Sequence, residues 1–264
     1  MNLCSSAKLF SYSLTLILLC LSFTFSNLAL SADKLSEQPL RIAVASNFTP
    51  VLKKLLVEFH QHTNINTQII SGATGALFLQ IKHGAPFDIF LAADSTRPSQ
   101  LEQQNLVLAD SRKTYALGQL ALFSMNSTAK LSDLKKAPSR FAIANPDTAP
   151  YGKAAKQTLE YLKLWPQYKT KLIQGININQ TFAQVRSQAV NSALVANSQL
   201  VLNNFTGAII PSHYHQPIAQ QLVIIKNSKN INKAKRLSDY LLSAANQQKI
   251  ISFGYASFDQ GVKD

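Results

Sequence analysis

Cysteine is nearly absent: the chain has two, Cys4 and Cys20, both near its start. Everything beyond residue 20 therefore has no disulfide, no thiol nucleophile and no cysteine metal site, and its fold must rest on its core. Acidic residues are scarce as well, 13 against 26 Lys and Arg, for a formal charge of +13. A basic surface favours anionic partners. The lysines are scattered, however, and no basic run is interleaved with aromatics, so no nucleic acid is expected as a partner. A field that draws small anions to a cleft fits the charge, and a solvated basic surface without a role is the plain alternative. Also missing are a fixed-period repeat, a low-complexity tract and a long polar linker. No G-x-S-x-G elbow, H-E-x-x-H motif or P-loop is present, which removes the commonest sequence signatures of catalysis.

The N-terminus has the order of a secretory signal. Lys8 is its only charge, Leu14 to Phe25 is an apolar stretch, and Ala29-Leu30-Ser31 offers small residues for cleavage. The apolar run is short of the about 20 residues that a membrane-spanning helix needs. Leu18 and Leu19 precede Cys20 where a lipoprotein site wants small residues. Residues 1–31 are thus expected to be a cleaved signal peptide and the mature protein to be periplasmic. The remaining length allows one compact unit or two small domains of about 100–150 residues each.

Along the rest of the chain, short apolar runs alternate with amphipathic segments. Strands are expected at Leu40–Ala45, Asn66–Ile70, Asp88–Ala92, Gly118–Phe123, Phe141–Ala144, Leu172–Gln174, Ser192–Ala196 and Leu222–Ile225. Helices are expected at Pro50–His62, Gly75–His83, Thr96–Gln104, Gly152–Leu164, Asn179–Ala189, Ile231–Ser243 and Asn246–Phe253. In the first helix Val51, Leu52, Leu55, Leu56 and Phe59 share a face, Thr49 suits the N-cap and Pro50 the first helical position. This alternation predicts an α/β fold with mostly parallel sheets flanked by helices. Ligands on such sheets sit at the carboxyl ends of strands.

Four strand-to-helix junctions stand at such positions: Ser46-Asn47-Phe48-Thr49-Pro50, Gly72-Ala73-Thr74-Gly75, Pro150-Tyr151-Gly152 and Asn177-Ile178-Asn179-Gln180. Each offers free N–H groups at a helix N-terminus, and three of the four add a nearby side-chain donor. Each residue alone would be a cap or a turn former. Together, with no acid in any junction, they describe an uncharged cradle for a small anion. A cradle made only of donors prefers a fully deprotonated tetrahedral oxyanion such as molybdate, tungstate or sulfate. Monohydrogen phosphate brings a proton that needs an acceptor, and leaving it unpaired costs about 1–3 kcal/mol.

Other readings compete for the polar residues. His213-Tyr214-His215 is an H-x-H pair without a nearby acidic third ligand. His60 and His62, two apart on a helix, do not share a face. Asp88 and Asp94 flank a strand and could serve a hydrolase with a histidine, but Asp88 fits a turn after Pro86 and Asp94 fits a helix cap.

The junctions carry a likeness. Val44-Ala45-Ser46-Asn47-Phe48, Ser71-Gly72-Ala73-Thr74-Gly75, the run from Gly84 to Asp94, Phe141-Ala142-Ile143-Ala144-Asn145-Pro146 leading to Ala149-Pro150-Tyr151-Gly152, and Gln216-Pro217-Ile218-Ala219-Gln220 together resemble the periplasmic molybdate-binding proteins of bacterial ABC importers. The likeness covers nearly the whole mature chain. It implies a two-lobed type II periplasmic binding fold with the ligand in the inter-lobe cleft, residues 32–116 plus 221–264 forming lobe I and 117–220 lobe II. It also implies oxyanion contacts from Ser46, Asn47, Thr74, Tyr151 and Ile178, with no direct protein ligand to the metal, no cofactor and no enzymatic activity. The implied partners are molybdate or tungstate and an inner-membrane ABC permease, the receptor being a monomer. Some relatives carry a tyrosine where this chain has Ala196, and Asn197 is a candidate replacement donor. A receptor for another oxyanion such as sulfate, and an envelope interaction module that has lost its ligand, are the remaining alternatives.

Overall fold

Ten strands and nine α-helices make up the described part of the molecule. The computed structural model describes residues 38–136 and 140–257, and the expected signal peptide lies outside them. In chain order the elements are β1 (Leu40–Ala45), α1 (Thr49–Thr63), β2 (Thr67–Gly72), α2 (Thr74–Lys82), β3 (Ile89–Leu91), α3 (Thr96–Gln103), β4 (Lys113–Gly118) and β5 (Leu120–Phe123). Then follow β6 (Phe141–Ala144), α4 (Pro150–Tyr161), α5 (Trp165–Tyr168), β7 (Leu172–Gly175), α6 (Ile178–Arg186), β8 (Ser192–Ala196), α7 (Asn197–Leu202), β9 (Ala208–Ile209), β10 (Ile218–Ile224), α8 (Ile231–Leu242) and α9 (Ala244–Ser252). From Pro39 onward the described residues form one compact unit.

Two five-stranded sheets organise that unit, ordered β2-β1-β3-β10-β4 and β7-β6-β8-β5-β9. In each, one strand runs against the rest: β10 is antiparallel to β3 and β4, and β5 to β8 and β9. The other pairings, β1 with β2 and β3, and β6 with β7 and β8, are parallel. The mostly parallel α/β architecture expected from the alternation is thus present, twice.

The apolar runs explain why both sheet faces are covered. Leu40, Ile42 and Val44 of β1 pack on one face with Leu52, Leu55 and Phe59 of α1 and Leu237 and Leu241 of α8. Ala43 points the other way, with Phe90 of β3, towards Leu77 of α2 and Leu101 of α3. The second sheet repeats the scheme. Phe141 and Ile143 of β6 face Ala155 and Leu159 of α4, while Ala142 faces Phe182 and Val185 of α6. Strand side chains alternate between faces, so a run apolar at every position marks a sheet buried on both sides. Among the described residues no helix is long and apolar enough to cross a membrane.

Three local details differ from the sequence reading. The strand expected at Gly118–Phe123 is β5 of the second sheet, shortened to Leu120–Phe123; Gly118 instead ends β4, a strand of the first sheet absent from the expectation, with Gln119 between them. The short helix α7 follows β8 directly. Thr49 is the first helical residue of α1 rather than its N-cap, which is Phe48. Its hydroxyl meets that of Ser71 at 2.7 Å and ties α1 to β2.

Candidate functional site

At the carboxyl ends of β1, β2, β6 and β7 the chain turns directly into α1, α2, α4 and α6. These four helix N-termini surround one small cavity. Ser46, Asn47, Thr74, Tyr151 and Ile178 all line it, together with Ala45, Gly72, Ala73, Ala93, Ala149, Pro150 and Asn177. The five residues expected from the sequence are therefore brought together, two junctions coming from each sheet. About 10 Å³ is open to the centre of a water-sized sphere, room for one small species. No charged side chain is part of the lining.

The donors are set by local structure. Among the described residues the N–H groups of Asn47, Thr74, Tyr151 and Ile178 have no acceptor within the chain. The last three are first-turn groups of α2, α4 and α6, which every helix leaves unpaired. The Thr74 hydroxyl accepts the Ala93 N–H at 3.0 Å, which leaves its own proton for another acceptor. Ser46 is buried at the cavity wall, and among the described residues no hydrogen bond engages its hydroxyl. Each helix N-terminus carries the equivalent of roughly +0.5 charge. Four of them offset an anion without a salt bridge.

Asn47 works differently from the sequence expectation. Its Nδ2 donates to Gln220 Oε1 at 2.9 Å and to the Tyr255 hydroxyl at 3.1 Å. Both side-chain donors are thus spent inside the protein, and what remains for the cavity is the backbone N–H. The Tyr151 hydroxyl accepts from Gln220 Nε2 at 3.3 Å. Burial pushes the Tyr151 phenol well above the usual tyrosine range, with the neighbouring Tyr255 adding to the effect. Tyr151 therefore stays protonated and can donate. Burial likewise pushes Tyr115 and Tyr255 up.

Asn197 is not in the lining. Its Nδ2 lies 3.2 Å from Gln119 Oε1 and 3.3 Å from the Gly254 carbonyl, so it ties α7 to the segment between the sheets and to the C-terminal strap. Asp88 is also committed elsewhere: its carboxylate accepts the Arg41 N–H, the Ser228 hydroxyl and the Asn230 amide. Asp94 accepts the Arg97 N–H and pairs with the Arg97 guanidinium at 2.5 Å. His213 packs edge-on against Tyr161 and Tyr214, and His215 Nδ1 meets the Gln216 carbonyl. Among the described residues no three His, Cys, Asp or Glu side chains gather as a metal site.

Two contacts run from helices α2 and α3 of the first sheet to the loop between β6 and α4 of the second. The Gly75 N–H donates to the Thr148 carbonyl at 2.8 Å, and Arg97 Nη2 donates to the Asp147 carbonyl at 2.7 Å. Two glycines permit close packing around Tyr151, Gly118 between the sheets and Gly152 within the second. A Cβ on Gly118 would sit 2.4 Å from the Tyr151 hydroxyl, and one on Gly152 would sit 2.2 Å from the Ala144 carbonyl oxygen. Arg97, Gly118, Gln220 and Tyr255 had no assigned role in the sequence reading. Of these only Gln220 lies in a stretch that carries the family likeness, Gln216–Gln220.

Residues 40–256 match the family model of bacterial extracellular solute-binding proteins. The chain belongs to that family. This solute-binding protein is 37% identical over 251 residues to the molybdate-binding protein ModA of Azotobacter vinelandii, covering 89% of this chain and 99% of that one. It is 31% identical over 220 residues to the molybdate-binding protein ModA of Rhodobacter capsulatus, covering 81% and 87%. The solved structure of the Azotobacter vinelandii periplasmic molybdate-binding protein superposes with a TM-score of 0.77 at 30% identity, over 83% of this chain and 99% of that one. The two-lobed periplasmic binding fold follows, as does a binding function in place of catalysis. The family is described as extracellular, and the Azotobacter vinelandii structure as that of a periplasmic protein.

Proposed function

We propose that this protein captures molybdate, and tungstate with it, in the periplasm and delivers the anion to an ABC permease of the inner membrane. The observation that carries the reading is the cavity itself. Four helix N-termini and the residues Ser46, Asn47, Thr74, Tyr151 and Ile178 enclose it without a charged side chain. The names of two relatives at 37% and 31% identity support molybdate as the ligand. Among the described residues lobe I is built on the first sheet, to which β4 up to Gly118 and β10 from Ile218 both belong, and lobe II on the second; residues 1–31 are removed on export. The receptor acts as a monomer.

Each lobe supplies about half of the donors, so the bound anion favours the closed arrangement by contacts that the open one cannot make. Anion specificity follows from donor-only lining. The test is calorimetry of ligand-stripped protein lacking residues 1–31, titrated with molybdate against sulfate and phosphate. One-to-one molybdate binding that phosphate does not displace is expected. Sulfate binding without molybdate binding would move the function to a sulfate receptor.

A further inference from the structure

Gln220 is fully buried and does not line the cavity, yet it holds two side chains that do, Asn47 and Tyr151, together with Tyr115. Its Oε1 accepts from Asn47 Nδ2 at 2.9 Å and lies 3.1 Å from the Tyr115 hydroxyl. Its Nε2 donates to the Tyr151 hydroxyl at 3.3 Å. Asn47 and Tyr115 belong to the first sheet and its loops, whereas Tyr151 opens α4 on the second. The β4–β10 ladder slips by one residue beside Gln220, leaving Tyr115 as the extra residue between the pairs Gln220–Ala116 and Gln221–Thr114. Such a bulge re-aims side chains next to binding sites. Here it puts Tyr115 within reach of Gln220.

A phenol carries one proton and can also accept hydrogen bonds. With the Gln220 amide N–H on its oxygen, Tyr151 must direct its own proton elsewhere, and its wall position leaves the cavity as the place for it. The geometry points to Gln220 as a positioning residue for the anion site: it turns the Tyr151 hydroxyl proton toward the ligand while anchoring Asn47 from the opposite lobe. This rests on the molybdate reading of the cavity. Gln220 never touches the anion and acts through Tyr151.

A double-mutant cycle tests it, read by molybdate calorimetry on the protein without residues 1–31. Y151F alone is expected to weaken binding by at least about tenfold, the loss of a hydrogen bond to a charged group. Q220M weakens binding too, and in its background Y151F costs less than about threefold, because the hydroxyl is no longer aimed. Equal factors for Y151F in both backgrounds would overturn the proposal, whatever Q220M does to thermal stability. Should Q220M fail to fold, Q220E keeps an acceptor for Asn47 and Tyr115, replaces the donor to Tyr151 with a second acceptor, and adds a buried charge whose effect on affinity is common to both arms of the cycle. The same non-additivity is expected there at pH 8, and the same additivity overturns it. Wild-type protein that binds sulfate and not molybdate would sink the ligand assignment alone, and the cycle would then be read with sulfate.

Discussion

Replacing Thr74 with valine keeps the shape of the side chain and removes only its hydroxyl. That hydroxyl has two jobs. It accepts the Ala93 N–H at 3.0 Å, and it offers its proton to the cavity. The two losses show in different measurements. The Ala93 N–H is orphaned with or without ligand, so its cost cancels from binding and appears in stability, as about 1–3 kcal/mol for an unsatisfied buried donor. The donated proton matters only when the anion is present. A hydrogen bond to a charged group contributes about 1.5–3 kcal/mol, which is roughly 10- to 150-fold in affinity. Chemical denaturation of the ligand-free T74V protein should therefore show the first loss, and molybdate calorimetry the second. T74S restores the hydroxyl and should return both to within a few tenths of a kcal/mol. Affinity of T74V within threefold of wild type would refute the donor role of Thr74, even if stability falls as expected.

Gly118→Ala places a methyl group against the Tyr151 hydroxyl, and calorimetry should show an affinity loss of at least about tenfold from the displaced donor. Arg97→Gln removes the guanidinium bridge between Asp94 and the Asp147 carbonyl. Stopped-flow measurements should show faster anion release, by several-fold for about 1 kcal/mol of lost closure, with association unchanged. Asp88→Ala strips a buried carboxylate from three donors and should cost at least about 2 kcal/mol of stability, while molybdate affinity of the folded fraction stays put. Tyr115, Tyr151 and Tyr255 have raised pKa values in the folded state, mainly from burial. The unfolded chain ionises its tyrosines near pH 10 while the folded one resists, so stability should fall as pH rises above about 10. Thermal melts across pH 8–11 would detect it.

The strand–helix alternation and the four junctions were legible because both are local: an apolar run, then small polar residues, then a helical stripe. β4 was not, because Lys113-Thr114-Tyr115-Ala116-Leu117-Gly118 runs almost without punctuation into β5. The chain changes sheets at Gln119, and no turn residue announces it. α7 has six residues, too few for a helical period to declare itself. Asn197 opens a helix after a strand, as the residues that line the cavity do, and so looks like them in sequence. The difference lies in where that strand end sits, and only the assembled sheets decide it. The Gln220 network was out of reach for a simpler reason. Its partners Asn47, Tyr151 and Tyr115 lie 173, 69 and 105 residues away in sequence.

The uncharged lining of the cavity has an electrical consequence. A site that took up a proton along with its ligand would cancel part of the charge that the ligand adds. This one has only dipoles, which stabilise the anion without cancelling it. A bound dianion should therefore carry its whole charge into the complex. The filled receptor would then migrate on a native gel as a protein two units less positive than the empty one, and the heat of binding would not depend on the buffer's ionisation enthalpy.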